Sequence, residues 1–354
     1  MRPLRLAVDA RVIGDDARGI GRYARAVLRR LVARDDVALT LLADGPFAQR
    51  ARAGYARALG ADSFAVSGRV PRDADVVWHP ANGTFFPSPS SARNVATIHD
   101  AVPFRYPLED RKRREQAQGP FLRSAREAAR VIAVSAFGAA EVRELLGVPA
   151  ERIAVIPHGV ERSFTPGPAE PLPEALRGRP FLLFVGDPIG EPRKNFPLLY
   201  EAYRQAFPTG ATALAVAGPR APDLPGVVHL GELFDDVAAG EGDRGDALRA
   251  CYRGALALTL ASYHETFGMP LLEAMACATP VVASRASSLP EVAGEAALFV
   301  PPNNVTAWSD ALRRIVADEP LRARLRDAGL RRAAQFSWDE SAARHLELFR
   351  SLAT

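Results

Sequence analysis

Two glutamates eight positions apart, Glu265 and Glu273, bracket the stretch Thr-Phe-Gly-Met-Pro-Leu-Leu, in which Pro270 marks the start of a short helix. Proline suits the first helical position, because the N–H it lacks would have no partner there. The amides of Thr266, Phe267, Gly268 and Met269 are then free to face a ligand, and such a helix start is an anion site. Glu265 precedes the helix and Glu273 falls in its first turn, so two carboxylates flank that site. A sugar joined to a phosphate suits the arrangement, since hydroxyls need acceptors and phosphate needs donors. The same residues also fit an exposed loop acid and a helix acid that complements the dipole. Their spacing alone leaves both readings open.

A second group precedes these residues in the chain. Gly186-Asp187-Pro188-Ile189-Gly190 follows a strand-like run and leads into Glu191-Pro192-Arg193-Lys194-Asn195. Adjacent Arg193 and Lys194 after a glycine turn fit surface charge, and they also fit a diphosphate clamp in which arginine binds oxygens in pairs and lysine adds a point charge. His99 and Asp100 stand where a strand ends, the position at which open α/β sheets hold ligands, although a histidine there can equally satisfy a loop carbonyl. Gly19 and Gly21 lie in a loop, Arg11 to Arg22, between a strand and a helix, where glycines let backbone approach a ligand or simply turn.

These motifs together resemble glycosyltransferase family 4, whose members are retaining enzymes of GT-B fold. Glu265 and Glu273 match its paired glutamates, and Glu-Ala-Met-Ala-Cys-Ala-Thr-Pro-Val-Val-Ala-Ser and Ser-Leu-Pro-Glu-Val-Ala-Gly after them extend the likeness. Glu-Pro-Arg-Lys-Asn, Gly-Ile-Gly-Arg-Tyr, His-Asp after a strand and Val-Ile-Ala-Val-Ser resemble further parts of it. The resemblance implies that Arg193, Lys194 and the amides of Thr266 to Met269 hold the donor diphosphate, with Gly19 and Gly21 facing it. It implies Glu265 on sugar hydroxyls, Glu273 on ribose, Leu272 in the donor-binding segment, and His99 with Asp100 near the transferred sugar. No metal is required, since cationic side chains and helix amides take that role. The turn at 186–190 is about two residues longer than the family's, and an acidic, glycine-rich insertion is read at 235–245.

The elements that must position these residues follow from periodicity. Strands are expected at Leu4–Asp9, Ala38–Leu42, Val76–Trp78, Asn94–Ile98 and Val131–Ser135, then at Phe181–Val185, Ala213–Ala217, Val227–Leu230, Ala255–Leu260 and Pro280–Ala283. Alternation with helices gives the βαβ pattern of parallel sheets. With 354 residues and 48% apolar content the chain can bury two cores. The expectation is a GT-B protein of two Rossmann-like domains facing each other across a cleft. Residues 1–165 form an acceptor-side domain, 166–338 bind the nucleotide sugar, and a last helix over 339–354 crosses back to the first domain.

No apolar run approaches the roughly 20 residues of a membrane helix, and Met1-Arg2-Pro3-Leu4-Arg5 leads into a strand instead of a signal-peptide core, so a cytoplasmic protein is expected. The two cysteines, Cys251 and Cys277, sit in apolar helical settings and read as buried thiols. Lys112 and Lys194 are the only lysines and neither has a P-loop setting, and no nucleic-acid-binding module is present despite the net charge of +4. A basic stretch, 109–130, broken near Gly119-Pro120, reads either as a solvated helix face or as a surface for anionic lipid. In the second reading Arg111, Lys112, Arg113 and Arg114 supply charge, and Phe121 and Leu122 an apolar wedge.

The expected activity is hexose transfer from a nucleotide-diphosphate sugar to a glycan, glycolipid or other hydroxyl acceptor, with GDP-mannose as the donor and cell-surface polysaccharide as the setting. UDP and dTDP donors stay open. A sugar-nucleotide epimerase of the same architecture and a non-catalytic binding protein are the alternatives, and a dehydrogenase is disfavoured by the missing dinucleotide fingerprint.

Overall fold

The computed structural model describes residues 2–13, 19–45, 48–83, 86–169, 172–233 and 244–353. Contacts divide the chain into two units, Met1–Gly159 with Ser337–Thr354, and Val160–Phe336. The division therefore falls earlier at both crossings than the 165/166 and 338/339 expected from proline content. The reason is local: the Val160 amide bonds the Phe336 carbonyl at 3.2 Å, and the Phe164 ring lies 5.9 Å from that of Tyr252, so residues 160–165 already belong to the second unit.

The first unit is built on a parallel sheet of β1 (Leu4–Asp9), β2 (Val37–Leu42), β3 (Ala65–Ser67), β4 (Val76–His79), β5 (Arg93–Ile98), β6 (Arg130–Ala133) and β7 (Ile153–Val155), in the order β3-β2-β1-β4-β5-β6-β7. Leu6 is paired with both Leu39 and Val76, which places the reversal of strand order at β1. The strands are buried apolar runs, as sheets covered on both faces require. Between them lie α1 (Gly19–Val32), α2 (Arg52–Leu59), α3 (Val102–Arg105), α4 (Arg111–Glu127) and α5 (Ala136–Leu146).

The second unit carries β8 (Phe181–Val185), β9 (Ala213–Ala217), β10 (Val227–His229), β11 (Ala257–Leu260), β12 (Val281–Ser284) and β13 (Leu298–Val300), all parallel, in the order β10-β9-β8-β11-β12-β13. Its helices are α6 (Phe196–Ala206), α7 (Arg244–Gly254), α8 (Met269–Ala276), α9 (Leu289–Ala293), α10 (Val305–Ala317) and α11 (Glu319–Ala333). Here the strand order reverses between β8 and β11, and the two loops that leave those strands carry the arginine-lysine pair and Glu265.

The last helix, α12 (Trp338–Leu352), belongs to the first unit and packs on α1. Ser337 caps it by accepting from the Asp339 amide at 3.0 Å. Trp338, His345 and Phe349 are buried on it. The His345 Nδ1 faces the Ser341 carbonyl at 2.7 Å and so carries the proton, which leaves Nε2 to accept from the Tyr23 hydroxyl at 2.6 Å. Tyr23 in turn lies 2.9 Å from Thr97, which accepts from the Trp78 indole N–H at 3.0 Å. Every donor in that chain has an acceptor, and burial of His345 pushes its pKa down to about 4, which keeps the ring neutral.

Three expectations are corrected. Helix α1 starts at Gly19, so Gly19 and Gly21 lie in its first turn and not in a loop; residues 14–18 before it lie outside the described residues. Helix α4 runs unbroken through Gly119 and Pro120, because Asp110 caps it and buried Phe121 and Ser124 hold its second half against Phe104 and the sheet. Phe121 is therefore core and not a surface wedge, whereas Leu122 is 46% exposed. Of the insertion read at 235–245, residues 235–243 lie outside the described residues, while 244 and 245 open α7.

Candidate active site

In the second unit the glycine turn after β8 ends in a single turn of 3-10 helix, Pro192–Lys194, and Asn195 then adopts a left-handed φ of 55°. Asparagine tolerates that conformation, and here its side-chain amide donates to the Ala261 carbonyl at 3.1 Å and to Pro302 at 2.8 Å. The turn is thus fastened to the end of β11. A second tie runs from the Tyr263 amide to the Arg193 carbonyl at 2.8 Å.

Glu265 lies between the two cations. Its Oε1 accepts from Lys194 Nζ at 2.7 Å and from Ser262 at 2.8 Å, and its Oε2 faces Arg193 Nη1 at 3.2 Å. Arg193 also binds the His264 carbonyl at 3.2 Å and pairs with Glu191. Burial opposes ionisation of Glu265, but Lys194 and Arg193 outweigh it and hold the carboxyl down at about 2. The exposed loop acid that the sequence allowed is excluded, since Glu265 and Lys194 are both only 6% exposed.

The backbone around Glu265 is held from the segment after β12. The Glu265 amide donates to Ser287 Oγ at 2.9 Å, and its carbonyl accepts from the Ser288 hydroxyl at 2.7 Å. Gly268 then turns the chain with φ 87° into α8, and a Cβ there would stand 2.9 Å from Leu289. Thr266 and Phe267 are buried, with Phe267 edge-on to Phe336 at 5.9 Å, and Leu272 is buried in the helix. The helix starts at Met269, one residue before the expected Pro270, so Glu273 falls in its second turn. There Glu273 is buried and accepts from the Tyr252 hydroxyl at 2.8 Å. Arg193, Lys194 and Glu265 are therefore brought together, while Glu273 sits on a separate contact.

In the first unit His99 and Asp100 follow β5. His99 Nε2 donates to the Pro80 carbonyl at 2.7 Å, its amide donates to Asn82 at 2.6 Å, and its ring is edge-on to Tyr23 at 4.7 Å. Asp100 accepts from the Val102 amide at 3.1 Å and so turns the chain into α3. Asp9 at the end of β1 holds Arg11 at 2.8 Å and lies 3.7 Å from buried His79 at the end of β4. Gly21 is buried in the first turn of α1 and Gly19 is exposed.

The sequence reading missed Ser262, Ser287, Ser288, Asn195, Tyr252, Asp9 and His79. Small polar residues give no signal of their own. The one available cue was Ser-Ser-Leu-Pro-Glu, whose serines hold Glu265 from the next loop. Among the described residues no group of three or more His, Cys, Asp or Glu could hold a metal, and Cys251 and Cys277 are buried thiols pushed up to about 12 by desolvation.

Residues 17–164 match the family profile Glycosyltransferase Family 4, and residues 173–332 match Glycosyl transferases group 1. O-antigen chain mannosyltransferase B of Escherichia coli is 30% identical over 305 residues, spanning 78% of this chain and 75% of that protein. The chain belongs to glycosyltransferase family 4. The family's enzymes are retaining, take their sugar from a nucleotide sugar and need no metal. D-inositol 3-phosphate glycosyltransferase of Actinosynnema mirum is 33% identical over 233 residues, which span 61% of this chain and 55% of that protein. Among solved structures, Anabaena HepE in complex with UDP and glucose superposes with a TM-score of 0.71 at 16% identity, covering 99% of this chain and 100% of that one. WaaG, a glycosyltransferase of lipopolysaccharide biosynthesis, gives 0.65 at 14% identity over 98% and 99%. The fold is GT-B.

Proposed function

We propose that this glycosyltransferase moves mannose from GDP-mannose to a growing cell-surface glycan, at the cytoplasmic face of the membrane. Similarity to an O-antigen mannosyltransferase over most of both chains carries the choice of sugar. In this reading the bond between the anomeric carbon and the diphosphate breaks, a bond to the acceptor hydroxyl oxygen forms on the same face, and the hydroxyl proton passes to the departing diphosphate. Negative charge grows on the departing diphosphate, and positive character grows on the sugar. Arg193, Lys194 and the amides of Thr266 to Met269 take up the first, since fixed cations and amides cost no reorganisation as the charge appears. Glu265, already anionic, receives sugar hydroxyls, and Glu273 with Leu272 lines the ribose side. His99 and Asp100, with Gly19 and Gly21, serve the sugar and its phosphates from the first unit.

The test is a thermal-shift screen of GDP, UDP and dTDP, because a ligand that binds only the native state raises apparent stability with its affinity. GDP should give the largest shift, about 2.7 kcal/mol of added stability at a hundredfold excess over its dissociation constant. A larger shift with UDP would replace the donor. Diphosphate release only when a glycan acceptor is added separates transfer from binding.

Acceptor lipid brings this enzyme to an anionic membrane surface in the same proposal. Tyr106, Leu108 and Leu122 are 48%, 49% and 46% exposed on and before α4, whose first turn carries Arg111, Lys112, Arg113 and Arg114. Each cation near such a surface contributes about 1 kcal/mol, and the effect is screened within about 10 Å at 0.1 M salt. Changing those four residues to serine should lower binding to phosphatidylglycerol vesicles and activity on lipid-linked acceptors, with activity on a soluble glycan spared. Equal vesicle binding at low salt would reduce the stretch to a solvated helix face. No described helix is long and apolar enough to cross a membrane.

A further inference from the structure

The amino-terminal ends of the central strands of the first sheet carry a pocket that the proposed transfer reaction does not use. It is a half-open pocket of about 370 Å³ at the amino ends of three neighbouring strands, lined by Arg2 and Arg5 at β1, Arg72 and Asp75 before β4, and Arg93 at β5. That volume lies within the roughly 300–1,000 Å³ typical of small-molecule sites. His79 and His99 stand at or just beyond the carboxyl ends of β4 and β5, so the pocket lies at the other end of these strands from His99.

Its charges do not cancel. Four guanidiniums, those of Arg2, Arg5, Arg72 and Arg93, face the two carboxylates of Asp73 and Asp75, an excess of two positive charges. Asp75 is buried and fully committed: it accepts from Arg2 at 3.0 Å, from Arg5 Nη2 at 2.7 Å and from the Arg5 amide at 3.0 Å. Asp73 lies 3.4 Å from Arg5. Arg72 and Arg93 have no acidic partner among the described residues. The Arg5–Asp75 pair is thus a fixed wall, and the other two guanidiniums are available to a ligand.

We propose that this pocket is a second anion site, taking a phosphate-bearing ligand between Arg72 and Arg93. Planar guanidinium forks bind phosphate oxygens in pairs and are weakly hydrated, so two lining one pocket favour phosphate over a simple halide. Asp73 and Asp75 keep the net charge low and direct the anion to the unpaired side. Leu352 and Ala353 at the end of α12 close the pocket. A bound phosphate therefore joins the sheet edge to the end of that helix and stabilises the first unit.

The probe is inorganic pyrophosphate, titrated calorimetrically at constant ionic strength against a chloride control. The parent should show two sites, one lost on Lys194→Ala and belonging to the donor reading, the other weakened at least tenfold in an Arg72→Ser/Arg93→Ser double variant. Both substitutions are at exposed positions, so the variant should keep the parent's circular dichroism. Phosphatidylglycerol vesicles form the second arm. Loss of vesicle binding in Arg72→Ser/Arg93→Ser identifies a lipid headgroup as the source of the phosphate, and loss with pyrophosphate alone identifies a free ligand. If the double variant binds both probes as the parent does, the site does not exist, whatever becomes of the Lys194-dependent one.

Discussion

Lys194→Ala is expected to slow sugar transfer by about tenfold or more, to weaken nucleoside diphosphate binding, and to destabilise the second unit by about 3 to 5 kcal/mol. The two effects share a cause. Lys194 Nζ and Glu265 Oε1 are 2.7 Å apart, with both side chains 8% exposed. In the proposed role, removing the lysine takes a cation from the departing diphosphate; it also strands a buried carboxylate, and a broken buried pair costs more than its formation contributes. Glu265→Gln in the Lys194→Ala background should restore part of the stability without restoring transfer, because it removes the stranded charge and not the missing cation. Calorimetric unfolding and steady-state kinetics read the two separately. Unchanged binding and turnover would remove Lys194 from the donor site.

The same pair fixes a pH dependence. Burial raises the Glu265 pKa, Lys194 and Arg193 lower it further, and the net value falls from 4.5 to about 2. A depressed carboxyl contributes stability that is fully present above the unfolded pKa and is lost as pH falls through the folded one. The window is therefore pH 4.5 down to about 2, and the contribution is about 3 kcal/mol at 1.36 kcal/mol per pH unit. Without Lys194 the burial effect gains ground, so the loss of stability across that window should shrink or reverse. A variant that lost as much stability as the parent between pH 4.5 and 2 would assign the depression to other groups.

Much of this was legible because the strands are short apolar runs ended by glycine, histidine or acidic residues. Leu4–Asp9, Phe181–Val185 and Ala213–Ala217 are found with the bounds their composition implies. Strand β3, Ala65–Ser67, was not, because three residues carry no period and its place comes from pairing with β2. Helix α4 defied Gly119-Pro120 because tertiary burial of Phe121 outweighed a local breaker. At the candidate site, residue types singled out Arg193, Lys194 and Glu265 but not that Glu265 lies between the other two. Only the fold reveals that, because the loops after β8 and β11 are neighbours through strand order and not through sequence. The supporting serines were invisible for the same reason: Ser287 and Ser288 act on Glu265 across 22 and 23 positions.

Gly159→Ala should be strongly damaging to the first unit. A Cβ at that position would stand 2.5 Å from the Ser337 carbonyl carbon and 2.7 Å from Trp338 Cα, and closer still to the Trp338 nitrogen. All three are backbone atoms at the start of α12, so no rotamer change relieves the clash and the helix must move. Overpacking typically costs about 1 to 3 kcal/mol, but here the movement also withdraws Trp338, His345 and Phe349 from the core. The His345 ring cannot shift without breaking the Tyr23 bond and leaving the buried imidazole Nε2 unsatisfied, at about 1 to 3 kcal/mol. The expected loss is therefore about 4 kcal/mol or more. Trp338 fluorescence should move to longer wavelength as its ring meets water, read as the difference from a Trp338→Phe protein, since Trp78 and Trp308 also emit. Nucleoside diphosphate affinity should fall less than in Lys194→Ala, because Arg193, Lys194 and Glu265 all lie in the other unit and only Gly19 and Gly21 are proposed to reach the phosphates from this one. A Gly159→Ala protein with parental stability and emission would mean that α12 is not held at its first turn by this contact.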